Sequence, residues 1–334
     1  MSKKLKAIFL MDEEVLPQVY GSKERAGLEE LAVFVTPPLS VRTLPWRNRS
    51  LQEVEVVFSS WGIPALTAEV LGMLPACRII LHAAGTVRSF ATPAMWNRGV
   101  RLSSAAEANA VPVAEYTFAS IIFSLKHAWQ RMRELREGGE SCRADPTMAG
   151  AYGSTVGLLS LSRIGRQVAT RLRTMDVRVI AFDPVVDPEL ARMLGVELCS
   201  IEEVFRRADV ISCHMPLLPE TTEIIREIHF ARMKSGATFI NTSRGGVVCE
   251  PEMVAVLRQR QDIFAVLDVL QVEPIAVTNP LRSMPNVVLT PHIAGSLGPE
   301  CRRMGQFMIE EAGRYAAGAP LQGEVLASDL AFTA

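Results

Sequence analysis

The chain has 334 residues and a formal net charge of −1 at pH 7, and 49% of its residues are hydrophobic. A chain of this length exceeds what one hydrophobic core usually supports, so two domains are expected. The near-zero charge argues against binding to nucleic acid or to an anionic membrane, and no apolar run approaches the length of a membrane span. Six cysteines without a C-x-x-C pair indicate reduced thiols and predict a cytoplasmic protein.

Residues 1–104 alternate strand-like and helix-like segments. The first apolar run, AIFLM, is too short for the hydrophobic region of a signal peptide and is predicted to be a strand. Strands are predicted at 7–10, 31–35, 54–58, 78–82 and 100–103, and helices at 13–20, 64–73 and 93–97. This alternation predicts a parallel sheet with helices on both faces.

A loop of small residues follows the fourth of these strands. Ala84, Gly85 and Thr86 would leave backbone N–H groups accessible to an anion such as a carboxylate, so we expect them to contact substrate. A plain turn has the same composition, and the residues alone do not separate the two interpretations.

The longest helical pattern in the chain covers residues 113–137, with Pro112 just before it or in its first turn. A broad apolar stripe, which includes Phe118, Ile122 and Trp129, runs along this pattern. We expect the helix to pack one domain on the other or to form a contact between subunits.

Residues 155–183, TVGLLSLSRIGRQVATRLRTMDVRVIAFD, have the pattern of a nucleotide-binding unit. An apolar run at 155–161 predicts a buried strand, helical spacing begins at Ile164, and a second apolar run ends at Asp183. A strand, turn, helix and strand within about thirty residues are typical of a βαβ unit that binds dinucleotides. Its turn and helix N-terminus would hold a pyrophosphate, and Asp183 would accept hydrogen bonds from the adenosine ribose, which favours NAD over NADP.

The glycine fingerprint of this unit departs from its usual form. Where G-x-G-x-x-G places three glycines, the chain has Ser160, Ser162 and Gly165. Glycine permits a tight turn and close approach of the backbone to the pyrophosphate, and each serine brings a Cβ into that space. We expect the Ser162 hydroxyl to donate to phosphate and the Ser160 side chain to be turned away from the ligand. A βαβ crossover that binds no cofactor is the alternative interpretation of this segment.

Four polar side chains follow predicted strands in the second half of the chain. Strands are predicted at 208–213, 237–240, 264–267 and 287–289, and helices at 219–233 and 251–259. Arg244, Asp268, Glu273 and His292 each lie within a few residues of a strand end. Ligands of doubly wound sheets bind outside the carboxyl ends of the strands, so we expect these side chains to converge on one crevice. Each alone is compatible with a solvated loop charge, whereas the four together favour a site.

Such a group of side chains suits hydride transfer to a 2-keto acid. A histidine can deliver the proton that the carbonyl oxygen needs, typically for a roughly 10²–10⁴-fold gain in rate. A neighbouring carboxylate stabilises the imidazolium ion, and an arginine can bind the substrate carboxylate and polarise the carbonyl. Metal chemistry and acyl transfer are disfavoured, because no Cys/His or carboxylate cluster has ligand spacing and no serine lies in a nucleophile elbow.

Together these residues resemble the D-isomer-specific 2-hydroxyacid dehydrogenase family, which includes phosphoglycerate dehydrogenases, glyoxylate/hydroxypyruvate reductases and formate dehydrogenases. The matching segments follow the order of the family: NAVPVAE at 109–115, TVGLLSLSRIG at 155–165, PLLPET at 216–221, NTSRGGV at 241–247, LDVLQVEP at 267–274 and TPHIAG at 290–295. Six motifs in the right order over residues 105–295 are far more specific than any one of them.

The resemblance implies an α/β protein with two doubly wound parallel-sheet domains. A Rossmann cofactor domain, residues 105–297, would be inserted into a flavodoxin-like substrate domain, residues 1–104 and 298–334. The resemblance also implies an NAD-dependent enzyme for a small 2-keto or 2-hydroxy acid of the D series, and a homodimer formed through the cofactor domain. No metal, nucleic acid or membrane partner is expected.

The resemblance also implies roles for single residues. Arg244 would bind substrate, Glu273 would be the partner of His292, His292 would be the acid/base, and Asp268 would contact the nicotinamide carboxamide. The cofactor site would contain Ser162, Arg163, Ile164, Gly165, Asp183, Pro216, Thr221, Thr242, Ser243, Arg244, Asp268 and His292.

Two further departures from the family pattern concern the substrate and the class of protein. Thr86-Val87-Arg88-Ser89 stands where the family has G-V-D-N, and this departure leaves the substrate open. In addition, Leu270-Gln271 replaces the usual Phe-Glu. The Arg, Glu and His are retained, which favours an enzyme. The alternative is a non-catalytic, dinucleotide-responsive binding module that resembles the corepressor branch of the family, which keeps the same three residues. The absence of a long disordered tail weighs against this alternative.

Overall fold

The computed structural model describes residues 4–44, 51–138 and 150–332. In these ranges the strands are β1 Leu5–Leu10, β2 Ala32–Phe34, β3 Val56–Ser59, β4 Ile79–His82, β5 Arg101–Ser104, β6 Thr155–Leu159, β7 Arg178–Phe182, β8 Val196–Leu198, β9 Val210–Cys213, β10 Thr238–Asn241, β11 Phe264–Leu267 and β12 Val287–Leu289. The helices are α1 Leu16–Val19, α2 Ser22–Leu31, α3 Ala68–Met73, α4 Pro93–Asn97, α5 Ala106–Leu125, α6 Ala128–Arg136, α7 Arg163–Leu172, α8 Pro188–Met193, α9 Ile201–Arg207, α10 Glu227–Phe230, α11 Glu250–Gln259 and α12 Cys301–Ala316.

The chain divides into two compact units. The first consists of Met1–Ala110 and Ser296–Ala334, and the second of Val111–Gly295. The boundaries expected from the sequence, after residue 104 and before residue 298, lie a few residues away. The N-terminal boundary of the second unit falls inside α5, so this helix belongs partly to each unit.

The first unit contains a parallel sheet with the strand order β2-β1-β3-β4-β5. This is the flavodoxin-like order of a doubly wound sheet. Strands β3 and β4 are buried along their whole length, as expected of apolar runs covered by helices on both faces. Helix α12 returns to this unit, where Met304 and Met308 share a core with Val19 and Phe58.

The second unit contains a parallel sheet with the strand order β12-β11-β10-β9-β6-β7-β8. Counted from β6, this is the Rossmann order with an additional strand, β12, at one edge. The order reverses between β6 and β9, which pair directly. The predicted fold class, two doubly wound parallel-sheet domains, is therefore confirmed, and ligands of such a sheet bind where its strand order reverses.

The helix predicted at 113–137 is wrong in two respects. The structure has two helices here, α5 and α6, and His127 between them has a left-handed backbone with φ of 49°. Pro112 lies inside α5 rather than at its start, because the helix already begins at Ala106.

Among the described residues α5 is also the one helix long and apolar enough to cross a membrane, contrary to the expectation for this chain. Just over half of it is buried in the structure, and the core helix of a soluble protein passes the same test.

The helix predicted at 219–233 is also wrong. Only α10 forms there, and the residues before it make turns, with Glu223 at a positive φ of 50°. The Thr222 side chain donates to the Leu218 carbonyl oxygen at 2.8 Å. Such bonds from a threonine side chain to the backbone compete with helix formation. Helices α2, α8, α9 and α12 and strand β8 were not predicted.

Candidate active site

The turn between β6 and α7 has the conformation that its glycine motif requires. Ser160 has a φ of 80°, in the left-handed region that glycine adopts freely and serine rarely. A Cβ on Gly165 would overlap the carbonyl oxygen of Ser160. The third glycine of the motif is therefore needed for close packing of α7 on the turn.

Both serine hydroxyls of this turn are engaged within the protein. Ser160 Oγ donates to Asp183 Oδ2 at 3.2 Å and accepts from the Ser162 N–H at 3.2 Å. Ser162 Oγ donates to the His214 carbonyl oxygen at 2.9 Å and accepts from the Gly165 N–H at 3.5 Å, which caps α7. The Ser162 hydroxyl thus already has an acceptor in the protein, which the sequence did not reveal.

Asp183 joins this turn to the one that follows β7. Its Oδ2 also accepts from the Leu161 N–H at 2.7 Å. Its Oδ1 accepts from the N–H groups of Val185 and Val186, each at 3.0 Å. The carboxylate expected to bind the ribose therefore also organises the surrounding backbone.

The N-terminus of α7 fits the phosphates of a dinucleotide. Arg163 and Ile164 form the first turn of this ten-residue helix, where backbone N–H groups and the helix dipole favour an anion. His214 is buried close to this turn, and its Nε2 lies 3.0 Å from Ser212 Oγ. Burial lowers the pKa of His214 to about 3, so its ring stays neutral. His214 was not among the predicted site residues.

Polar residues after β9 and β10 shape the neighbouring loops. Thr221 Oγ1 donates to the Pro216 carbonyl oxygen at 2.6 Å and fixes the turn after β9. Thr242 Oγ1 lies 2.9 Å from Thr117 Oγ1, and both hydroxyls are buried. These hydroxyls stabilise the loops that were expected to line the cofactor site.

Arg244 follows β10 in a loop held by side-chain hydrogen bonds. Asn241 accepts from the Ser243 N–H and donates to the Arg244 carbonyl oxygen, each at 3.0 Å. Ser243 Oγ donates to the Met215 carbonyl oxygen at 2.9 Å, and Arg244 Nη1 donates to the Ser243 carbonyl oxygen at 2.7 Å. Burial lowers the pKa of Arg244, and the negative charge of Glu273 acts in the opposite direction. The guanidinium group is thus largely removed from water and within electrostatic reach of Glu273.

His292 and Glu273 form a hydrogen-bonded pair. His292 Nδ1 lies 2.7 Å from Glu273 Oε2, and Glu273 Oε1 accepts from the Leu270 N–H at 2.9 Å. His292 has a positive φ of 54°, and its N–H donates to the Asp268 carbonyl oxygen at 2.9 Å. Because Nδ1 faces the carboxylate, Nε2 is the ring nitrogen left for proton transfer.

Asp268 is a buried carboxylate at the end of β11. Its Oδ1 accepts from Thr290 Oγ1 at 2.6 Å and from the Ile293 N–H at 2.8 Å, and its Oδ2 accepts from the Ala294 N–H at 2.9 Å. Thr290 Oγ1 also lies 2.9 Å from the Tyr116 hydroxyl. Asp268 therefore organises the loop that carries His292. Tyr116 and Thr290 were not among the predicted site residues.

The expected substrate loop lies in the first unit, after β4. Ala84 is buried and its N–H donates to the His82 carbonyl oxygen at 2.9 Å, while Gly85 and Thr86 are partly exposed. His82 is buried beneath this loop, with Nδ1 3.0 Å from Ser59 Oγ. Burial lowers its pKa to about 3, although a hydrogen bond with the Thr86 backbone acts in the opposite direction.

The second unit therefore brings Arg244, Asp268, Glu273 and His292 to the carboxyl ends of neighbouring strands, as their spacing predicts. Among the residues that the structure describes, no group of three or more His, Cys, Asp or Glu side chains could hold a metal ion.

Comparison with known proteins identifies the second unit. Residues 118–294 match the family described as D-isomer specific 2-hydroxyacid dehydrogenase, NAD binding domain. The D-3-phosphoglycerate dehydrogenase of Archaeoglobus fulgidus is 31% identical over 312 residues, which cover 88% of this chain and 59% of the relative. The D-3-phosphoglycerate dehydrogenase of Mycobacterium leprae is 34% identical over 257 residues, which cover 75% of this chain and 47% of the relative. The chain thus spans about half the length of the curated relatives it matches.

Solved structures show the same fold. The apo forms of Rhodotorula graminis D-mandelate dehydrogenase superpose with a TM-score of 0.80 at 22% identity, covering 97% of this chain and 98% of that one. A phosphoglycerate oxidoreductase from Rhizobium etli superposes with a TM-score of 0.79 at 23% identity, and the superposition covers 97% of this chain and 99% of that one. At these identities the likeness concerns the fold.

Proposed function

The chain belongs to the D-isomer specific 2-hydroxyacid dehydrogenase family, and on this premise we propose that it is an NAD-dependent enzyme for a 2-keto or 2-hydroxy acid of the D series. The hydrogen bond between His292 Nδ1 and Glu273 Oε2, 2.7 Å long, carries the proposal. It gives the chain an imidazole with a fixed orientation and a carboxylate that stabilises its charged form.

His292 is the proposed acid/base. NADH, when bound, supplies the hydride. The protonated ring donates from Nε2 to the carbonyl oxygen of a keto acid, and Glu273 stabilises the imidazolium ion through Nδ1. In the oxidation direction the neutral ring accepts the hydroxyl proton at the same nitrogen.

Arg244 is the proposed substrate-binding residue. Its guanidinium group presents donors in a planar fork that matches a carboxylate, and the bond from Nη1 to the Ser243 carbonyl oxygen fixes its orientation. Removal from water strengthens its attraction for an anion. Backbone N–H groups at Ala84, Gly85 and Thr86 are proposed to contribute to binding of the substrate carboxylate.

The proposed cofactor site follows the strand ends of the second unit. Ser162, Arg163, Ile164 and Gly165 would hold the pyrophosphate, and Asp183 would bind the ribose and disfavour a 2′-phosphate. Asp268 would contact the nicotinamide carboxamide. The remaining contacts are assigned to Pro216, Thr221, Thr242, Ser243, Arg244 and His292.

We further propose a cytoplasmic homodimer formed through the second unit. Phe123 on α5 and Met132 and Leu135 on α6 expose 44%, 41% and 57% of their surface. Burial of such apolar surface favours association. Light scattering coupled to size exclusion would measure the mass in solution.

The substrate is best sought with a panel of acids. The curated relatives are named for phosphoglycerate, and solved structures of the same fold include a glyoxylate reductase and a D-mandelate dehydrogenase. The panel should therefore contain keto acids with a phosphorylated, a small and an aromatic side chain. We expect NADH oxidation with at least one of them, and a kcat/KM for NADH at least about tenfold above that for NADPH, or about 1.4 kcal/mol. NADH binding without oxidation by any acid would instead indicate a non-catalytic binding module.

A further inference from the structure

We propose that Ser160 lowers the affinity of this chain for NAD, because its hydroxyl occupies two hydrogen-bonding groups that the cofactor would use. Ser160 stands where the dinucleotide motif has its first glycine. The inference rests on the proposed cofactor site and assigns Ser160 a tuning role in it.

The first occupied group is the carboxylate of Asp183. A carboxylate accepts about four hydrogen bonds, and this one already accepts four within the protein. Three of the donors are backbone N–H groups, which the turns fix, at 2.7, 3.0 and 3.0 Å. The fourth is the Ser160 hydroxyl, at 3.2 Å, which can rotate. A ribose hydroxyl that bonds to Asp183 therefore displaces Ser160.

The second occupied group is the N–H of Ser162. It donates to Ser160 Oγ at 3.2 Å. Residue 162 is the second glycine position of the motif, where the backbone approaches the pyrophosphate. The Ser160 hydroxyl thus forms hydrogen bonds both with an acceptor, Asp183, and with a donor, the Ser162 N–H. A glycine at position 160 would make neither bond.

Backbone strain at Ser160 bears on stability rather than on binding. Serine at a φ of 80° is strained, and the two hydrogen bonds of Ser160 compensate for that strain in the ligand-free turn. When a cofactor displaces these bonds, the strain remains, so it is the same with and without cofactor. The loss of the two hydrogen bonds is what favours the ligand-free conformation and weakens binding.

Ser160→Ala and Ser160→Gly test the proposal by calorimetric titration with NADH and by thermal unfolding of the ligand-free protein. Ser160→Ala is expected to lower the Kd of NADH about tenfold and to lower the Tm, because the two bonds are lost while the strain persists. Ser160→Gly should lower the Kd similarly with a smaller loss of Tm, because glycine adopts this φ without strain. Tighter binding combined with lower stability is a pattern that a purely structural role would not produce.

Ser200→Ala is the matched control. Ser200 caps α9 in the same unit by accepting from the Glu203 N–H at 3.2 Å. Its loss should lower the Tm and leave the Kd of NADH unchanged. An unchanged or raised Kd in both Ser160 variants, with normal NADH binding by the unmodified chain, would overturn the role of Ser160 alone. Absence of NADH binding in the unmodified chain and in every variant would overturn the cofactor site as well.

Discussion

The ring of His292 is oriented by its bond to Glu273, and Nε2 is the nitrogen that we propose for proton transfer. Replacing His292 with alanine is expected to lower kcat about 10²–10⁴-fold, because the proton donor is lost. The Kd of NADH should change little, because the proposed contacts to pyrophosphate and ribose lie in the turns after β6 and β7. Steady-state reduction and calorimetric titration measure the two quantities. A variant with full turnover would contradict the assignment.

Glu273 contributes a negative charge beside His292. Glu273→Gln keeps the shape of the side chain and removes the charge, so the imidazolium ion loses its stabilisation. We therefore expect the kcat of keto-acid reduction to fall, because the protonated ring of His292 is the proposed proton donor. Steady-state kinetics of Glu273→Gln measure this loss, and an unchanged kcat would show that Glu273 does not act through its charge.

The loops after β10 and β11 meet at Gly245. A Cβ there would overlap the backbone carbonyl of Leu270, whereas a Cβ on the neighbouring Gly246 would contact the side chain of Leu217, whose methyl groups lie at 3.1 Å. Neither glycine has a positive φ, so the difference between them is steric. The loop that contains Leu270 also carries Glu273, so the position of this loop determines where Glu273 meets His292.

Gly245→Ala is therefore expected to destabilise the protein by about 1–3 kcal/mol, as overpacking usually does, and to lower kcat/KM. Gly246→Ala is the control, and its effect should be smaller because the Leu217 side chain can shift. Urea unfolding and steady-state kinetics measure the two effects. Equal losses in both variants would mean that the close approach at Gly245 does not position Glu273.

Strands were predictable from the sequence where local pattern and tertiary environment agree. Strand β11, which is buried, and strand β12, which is partly exposed, are short apolar runs between turn residues, and their predicted bounds are those of the structure. The break at His127 was not predictable, because the apolar stripe continues across it and a single left-handed residue leaves no periodic signal. The helix predicted at 219–233 was wrong because threonine side chains donate hydrogen bonds to the backbone and stabilise turns there.

The candidate site was predictable to the extent that its residues stand next to strand ends. Arg244, Glu273 and His292 were found in this way. The contact between Tyr116 and Thr290 joins residues far apart in sequence, so spacing gives no indication of it. The bond between Ser160 and Asp183 was not predictable for the same reason, so the two residues were expected to contribute separately.

At the scale of the whole molecule, buried histidines make stability depend on pH in both units. Burial lowers the pKa of His82 in the first unit and of His214 in the second to about 3, while unfolding restores the ordinary value of 6.5. Between these values the unfolded state binds more protons, so stability rises with pH. Lowering the pH from 7.5 to 5.5 should therefore cost about 1.4 kcal/mol per histidine.

Urea unfolding at the two pH values measures this effect. His82→Asn, which removes the titrating ring and keeps polar atoms near Ser59, should reduce the pH dependence. A pH dependence that His82→Asn leaves unchanged would show that His82 does not remain neutral in the folded protein.

The return of α12 to the first unit has a consequence for biosynthesis. The ribosome produces β1–β5 before the second unit, but Met304 and Met308, which share a core with Val19 and Phe58, emerge only after the whole of that unit. The second unit is continuous in sequence and lies between these two parts. We therefore expect it to become protease-resistant on the ribosome first, which reverses the usual order in which N-terminal domains fold first. During that interval the nascent first unit would expose an unfinished apolar face, and it is this unit that would most need protection by chaperones.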